Sequence, residues 1–394
     1  MLEHWIWFSY IPERFYREKQ LLLQRFHDPE ELYYCDGKAI PTLPPQLTEY
    51  LDNKDLTQAR AVLTQCEKKN IGILTFRDAS YPTKLRNITD PPVVLYYKGR
   101  LPDWENVPVI GVVGTRKASA YGLQNARRFA GEIAADGGLI VSGAASGIDA
   151  AAMMGALSQS RPVVGVLGCG VDRIYPASNR ELFAETEKSG CLISEYAPGV
   201  PPNSWNFPRR NRIISGMSDA VLVVEAPLKS GALITARDAA EQGREVFTVP
   251  GNIDSDTCAG SNALLQDRAI PVFSGWDVLR EYADLYPGKV KKTSVVFSEE
   301  PLPEPAAIPP KRERSDKKSV DKPKISEYSD RERPKPVLSP QEQQIYDCLT
   351  AEPQQVDAVI AKSGLPTATV LTILTKLSIK GVTDNLPGRR VSLK

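Results

Sequence analysis

Histidine is almost missing from this 394-residue chain: His4 and His27 are the only two, and both lie near the start. A histidine-based metal site or a histidine-dependent triad is therefore excluded from the rest of the chain. Six cysteines at 35, 66, 169, 191, 258 and 348 include no CxxC pair, which argues against a zinc ribbon or a disulfide framework. No run reaches the roughly 18 apolar residues that span a bilayer. The opening MLEHWIWFSY carries Glu3 and His4, breaks at Pro12 and has no basic leader. These features lead us to expect a cytoplasmic protein without membrane contact. An excess of one charge is missing too, since 49 Lys+Arg stand against 48 Asp+Glu. A globally basic nucleic-acid coat is excluded, but a local basic groove is not.

The length implies two or three domains. Residues 1–67 read as short helices, with Phe15, Leu22 and Phe26 at helical spacing and a second stretch from Leu56 to Glu67. After PPVVLYYKG, short Val- and Ile-rich runs alternate with helix-like stretches: VPVIGVVG (107–114), LIVSG (139–143), PVVGVLG (162–168), CLISEY (191–196), DAVLVVEA (219–226) and EVFTVPG (245–251). Continuous apolar strands of this kind predict a parallel sheet covered on both faces, an α/β doubly wound, Rossmann-like domain over 68–288. Strand order is not legible from sequence order. Residues 289–336 hold eight prolines and 13 basic against nine acidic residues; such a segment reads as a disordered linker. In 337–394, LSPQEQQIYDCL predicts a helix with a Ser339–Glu342 capping box. Two further helices joined through Gly364, and a wing turning at Pro387-Gly388, complete a winged-helix pattern.

Ligands of open parallel sheets bind at the carboxyl ends of the strands, so the strand-to-helix loops are the candidate site. Gly114-Thr115-Arg116-Lys117 offers close backbone approach, a hydroxyl and two cations for an anion at a helix start. Neither G-x-G-x-x-G nor P-loop spacing is present there. Ser142 and Gly143 open a second small-residue loop, and Arg173 stands at the lip of GCGVDRIYP. Cys169 in that loop reads as buried filler. Trp205-Asn-Phe207-Pro-Arg209-Arg210-Asn211-Arg212 is the most telling segment. Three arginines in four positions after two aromatics suit a phosphate-tracking, base-stacking groove for single-stranded nucleic acid. Arg209 and Arg212 share a helix face while Arg210 points elsewhere, and one of the three is expected to pair with Glu195 or Glu225. Lys229, in a small-residue loop ending at Thr235, adds a further cation.

Taken together, GTRKASAYG, SGAASGIDAAA, GCGVDRIYPASN, FPRRNRIISGMSDAVLVVEAPLKSGALITARDA and VPGNIDSDTCAGSN closely resemble the DNA-processing protein A family (DprA, also called Smf). The resemblance is dense over about 70 to 288. It implies a small amino-terminal helical, sterile-alpha-motif-like domain, an extended Rossmann core that binds single-stranded DNA and forms a homodimer, and a winged-helix tail. It also implies help in loading the RecA recombinase on incoming strands during natural transformation. The family's DNA-contacting Gly-Ser/Thr-Arg motif falls on Gly114, Thr115 and Arg116, and its Phe-Pro-x-Arg-Asn-Arg element on Phe207 to Arg212. Where many members carry a DNA-contacting Lys after Tyr-Pro, this chain has Ala177.

The expected function is thus a non-enzymatic, cofactor-free recombination mediator. A nucleotide-binding or nucleotide-hydrolysing Rossmann-like protein is the alternative, and the hydrolases' Pro-Gly-Gly-x-Gly-Thr signature is absent from the sequence. A transcription regulator acting through the winged helix is a third reading. It is weakened by the tail's near-balanced charge of six basic and five acidic residues.

Overall fold

Neighbouring residues in each apolar run face opposite sides of one sheet. Ile110 and Val112 join one buried cluster, and Val109 and Val113 join the other. Each fully buried Val, Leu or Ile contributes roughly 1.5–3 kcal/mol, so strands apolar on both faces are stable only between two helical layers. The computed structural model describes residues 1–35, 40, 43–293, 340–350, 352, 354–379, 382–386 and 390–393. The expected linker lies outside the described residues from 294 onward, as do Ser339 of the capping box and the wing turn at Pro387-Gly388.

The chain enters through α1 (Leu2–Ser9), α2 (Tyr16–Arg25), α3 (Pro29–Tyr34), α4 (Pro45–Asn53) and α5 (Thr57–Lys68). There follow β1 (Gly72–Thr75), α6 (Thr83–Arg86), β2 (Val94–Gly99), β3 (Val109–Val113), α7 (Ala120–Ala135), β4 (Leu139–Ser142), α8 (Ile148–Ser158) and β5 (Val163–Val166). The rest of this unit is α9 (Arg180–Ser189), β6 (Cys191–Ser194), α10 (Asn206–Met217), β7 (Ala220–Val223), α11 (Gly231–Glu241), β8 (Glu245–Thr248), α12 (Ala259–Gln266), β9 (Ile270–Pro271) and α13 (Gly275–Leu279). The strands form one nine-stranded sheet in the order β1-β2-β6-β5-β4-β3-β7-β8-β9. From β6 to β9 every pairing is parallel. β1 and β2 add an antiparallel edge. Sequence periodicity did not mark β1 and β9, which are four and two residues long.

The order winds outward from β3 through β4, β5 and β6, then returns to place β7 on the other flank of β3. This reversal opens a crevice above the carboxyl ends of β3 and β7, where doubly wound sheets bind ligands. One face of the sheet packs on α7 and α8, represented by Phe129, Ile133 and Met153. The other face packs on α10 and α11, represented by Ile213, Ile214 and Ala236.

The described residues fall into two compact units, one ending at 293 and the other beginning at 340. The helices of residues 1–68 do not keep a core of their own, because Trp5, Ile6 and Phe8 belong to the same cluster as Val93, Val94 and Tyr96 of the sheet. The boundary expected at 67 therefore separates helices from strands within one compact unit. The second unit is a winged helix: α14 (Pro340–Tyr346), β10 (Gln354–Gln355), α15 (Val356–Ser363), α16 (Thr367–Ile379), β11 (Thr383–Leu386) and β12 (Arg390–Leu393). Gly364 ends α15 at a φ of 66°, a left-handed conformation that suits glycine. β12 pairs antiparallel with both β10 and β11, and Ile345, Val359, Val370, Leu377 and Val391 form the core. Among the described residues no helix is long and apolar enough to cross a membrane.

Candidate nucleic-acid interface

The crevice is a cleft of about 570 Å³ lined by the loops after β3 and β7 and by the first turns of α10 and α11. The β3 loop is pressed against its neighbours. A Cβ on Gly114 would stand 2.5 Å from Ile148 Cγ1 and 2.8 Å from the Glu225 carbonyl, so only glycine fits. Thr115 N donates to Glu225 O at 2.8 Å, and Thr115 O accepts from Ile148 N at 3.2 Å. Its hydroxyl accepts from Lys117 N at 3.2 Å. This stitching leaves the Arg116 and Lys117 side chains exposed at the rim. The start of α7 is not a free anion site, however. The fully buried Glu225 carboxylate accepts from Ser119 N at 2.9 Å, and the Ser119 hydroxyl caps Gly122 N at 3.1 Å. A phosphate here would depend on side chains, not on the helix amides.

The guanidinium of Arg116 lies 4.8 Å from the centroid of the Phe207 ring. Tyr175, 41% exposed, stands with its ring centroid 5.6 Å from that of Phe207. A cation over one flat ring with a second ring beside it combines phosphate capture and base stacking. Lys229 is exposed on the opposite wall of the cleft. Ser230 caps α11 by accepting from Ala232 N at 3.2 Å. Tyr175 follows no helical or strand periodicity, and only its place after the Gly-rich 168–170 loop could have singled it out.

Several expected contacts serve the scaffold. The buried Ser142 hydroxyl donates to Val112 O at 2.7 Å. Gly143 is buried, and a Cβ there would stand 2.5 Å from Asp149 Oδ2 and 2.6 Å from Arg210 Nη2. Arg210 is only 4% exposed; its Nη1 donates to Gly143 O at 2.7 Å and to Val166 O. Burial pulls Arg210 down to about 10 while Asp149 opposes that shift. Burial likewise raises the Asp149 carboxyl, with Arg210 working against it. Asn211 accepts from Arg210 Nε at 3.2 Å and donates to Gly231 O at 3.3 Å. Arg210 and Asn211 thus form the floor of the cleft and tie together the ends of the strands.

Arg209 and Arg212 point away from this cleft. Arg209 pairs with Glu13 at 2.7 Å, Asp90 at 3.2 Å and Glu195 at 3.5 Å. Arg212 pairs with Glu195 at 2.7 Å and Asp90 at 3.4 Å. Burial weakens its charge, but Glu195 and Asp90 outweigh burial and hold Arg212 well above its ordinary range. The expected pairing with Glu195 is present, and it engages two arginines. Arg173 is exposed, and its guanidinium donates to Gly199 O at 3.2 Å outside the cleft lining. Ala177 is exposed and opens a short 3₁₀ turn. Cys169 is buried, which pushes its thiol up to about 11; it is filler, as expected, and not a poised nucleophile.

A doubly wound sheet with a cation- and aromatic-rimmed cleft at its switch point defines a Rossmann-like protein, here joined in one chain to a winged helix. Residues 72–283 match the family described as DNA recombination-mediator protein A, and residues 329–389 match the DprA winged helix domain. The chain belongs to the DprA/Smf family of DNA-processing proteins. Protein Smf of Synechocystis sp. is 35% identical over 338 residues, covering 83% of this chain and 81% of that protein. DNA processing protein DprA of Bacillus subtilis is 40% identical over 220 residues, 56% of this chain and 74% of that protein. The crystal structure of DprA from Streptococcus pneumoniae is similar with a TM-score of 0.55 and 37% identity, covering 59% of this chain and 82% of that one. DprA from Helicobacter pylori, whose structure is described as giving insights into a unique single-stranded DNA binding mode, matches with a TM-score of 0.50 and 29% identity. That match covers 55% of this chain and 97% of that one.

Proposed function

We propose that this chain is a cytoplasmic, non-enzymatic recombination mediator that binds single-stranded DNA in the switch-point cleft. Arg116, Lys117 and Lys229 hold successive backbone phosphates, and Phe207 and Tyr175 offer faces on which bases stack. Gly114, Thr115, Ser142, Gly143, Arg210 and Asn211 shape the loops that present them. Arg209 and Arg212 contribute through the position of α10, and Arg173 contributes only where a strand runs beyond the cleft. The single observation that carries this reading is the Arg116 guanidinium 4.8 Å above Phe207 at an open rim. The single-stranded DNA binding named for the Helicobacter pylori relative supports it.

In the same reading, the chain protects incoming strands and helps load RecA during natural transformation. It acts as a homodimer in which two clefts on one strand raise avidity. The test is fluorescence anisotropy with a single-stranded and a duplex oligonucleotide across a salt series, for wild type and Arg116→Ala. The expected result is a preference for the single strand and a steep salt slope. In the variant, affinity falls about 5- to 30-fold, the size of one stacked cation contact. Equal duplex binding that survives the substitution would overturn the reading and favour the alternative of a free nucleotide ligand.

A further inference from the structure

A second cleft, of about 720 Å³, lies on the other side of α10. Its walls come from the amino-terminal helices, the segment before β2 and the segment after β6. Apolar side chains such as Ile11, Val62, Val94 and Val200 line it. Its volume falls in the range of small-molecule sites. Its polar groups are unevenly matched. The carboxylates of Glu13, Asp90 and Glu195 are already paired with Arg209 and Arg212. Among the described residues, Arg212 Nη1 and the hydroxyls of Tyr96 and Tyr196 are buried without a hydrogen-bond partner, whereas Glu195 Oε1, which accepts no hydrogen bond, faces Arg209 Nε at 3.5 Å. Tyr96 is 1% exposed and lines the cleft. Lys19, 9% exposed, also lines it, and its ammonium makes only a long contact of 3.5 Å to Ser9 O.

Buried donors without acceptors are costly, and a buried cation without a close partner is more so. The stated volume, the apolar walls and the surplus of donors call for one complementary occupant. We infer that this second cleft binds a small organic anion, a carboxylate or phosphomonoester carried on a flat apolar body. The anionic head would accept from Lys19 and the tyrosine hydroxyls, and the body would lie against the Val and Ile walls. Such a ligand bridges the amino-terminal helices and the sheet, and it is separate from the DNA cleft because its donors lie on the opposite face of α10.

The test uses the full chain and three fluorescent probes of one size: naphthyl phosphate, naphthylacetate and neutral naphthalenemethanol. Each is titrated into wild type, Lys19→Met, Tyr96→Phe and Arg116→Ala. One of the two anions is expected to bind wild type with a Kd below about 1 mM, and the neutral probe at least roughly tenfold more weakly. Which anion wins distinguishes phosphomonoester from carboxylate. Lys19→Met is expected to weaken that anion about tenfold or more and Tyr96→Phe about three- to tenfold, the scale of one hydrogen bond to a charged group. Arg116→Ala should leave it unchanged, and single-stranded DNA affinity should be the same in Lys19→Met and Tyr96→Phe. The inference is overturned by failure of both anions to bind, by equal binding of the neutral probe, or by full binding in Tyr96→Phe and in a folded Lys19→Met. Loss of binding in Arg116→Ala would also overturn it, since that places the anion in the DNA cleft. Circular dichroism checks folding, and Tyr96→Phe decides alone if Lys19→Met does not fold.

Discussion

The two faces of α10 carry the same residue type to opposite ends. On one face Arg209 and Arg212 are closed into a cluster with Glu13, Asp90 and Glu195. On the other, Arg210 is sunk beneath a cleft whose exposed cations are Arg116, Lys117 and Lys229. The densest basic run in the core sequence therefore supplies structure, while a sparser one supplies the open charge. The difference lies in the carboxylates. Glu13, Asp90 and Glu195 come from three distant parts of the chain and meet only in the fold. Among the described residues no carboxylate forms an ion pair with Arg116: Glu225 spends its oxygens on Ser119 N and on the Thr257 hydroxyl, and the buried Asp149 accepts from Ala145 N.

Removing a shared carboxylate breaks this comparison most severely. Glu195→Ala leaves two arginines short of a partner in a largely buried place and is expected to lower unfolding free energy by about 3 kcal/mol, read from urea denaturation. Binding of single-stranded DNA by the protein that remains folded should not change. If affinity falls in step with stability, the two faces are not independent. Arg210→Met should be intermediate. It removes the charge that favours the Asp149 carboxylate and the donor shared by two carbonyls, which costs roughly 2–3 kcal/mol, and it loosens the cleft floor enough to weaken DNA binding as well. Loss of stability with unaltered DNA affinity would show that the floor does not position the rim.

The rim itself should respond in the reverse sense. Tyr175→Ala is expected to cost about 1 kcal/mol of single-strand affinity with no measurable loss of melting temperature. Its salt slope should match wild type, whereas that of Arg116→Ala should fall by about one. A changed slope in Tyr175→Ala would mean that the tyrosine acts by placing Arg116, not by stacking.

A further effect, of comparable size, concerns pH. Burial lowers Lys19 to about 8 from its ordinary 10.5, against the pull of Asp90. Between these values the unfolded chain holds a proton that the folded chain has lost, so stability rises with pH across that window. At pH 7 both states are charged and the full penalty is present. Lys19→Met should therefore be more stable than wild type at pH 7, on the order of 1–3 kcal/mol, with the gap narrowing toward pH 10. A gap that is constant with pH would assign the difference to packing, not to charge.

Much of the fold was legible because its signals are local. Short runs such as VPVIGVVG and DAVLVVEA can bury both faces only as central parallel strands, and Gly364 marks the turn between two helices wherever the tail lies. Gly114 and the adjoining cations were likewise visible, since a tight loop at a strand end has few other uses. The short edge strands β1 and β9 were not visible, because two to four residues do not establish a period. Tyr175 was passed over because an exposed aromatic in a loop has no pattern to belong to.

By itself, then, the sequence determined the class of fold and the strand-end loops that line the cleft, which rest on spacing along the chain, and the family, which rests on the resemblance of its ordered motifs. Which of its cations are free was decided only by the tertiary structure. A guanidinium reads the same at 116, 209, 210 and 212, and its availability depends on whether folding brings a carboxylate or a carbonyl within about 3 Å. Those partners lie 14 to 196 residues away from the arginines they hold, and no local pattern encodes such a meeting.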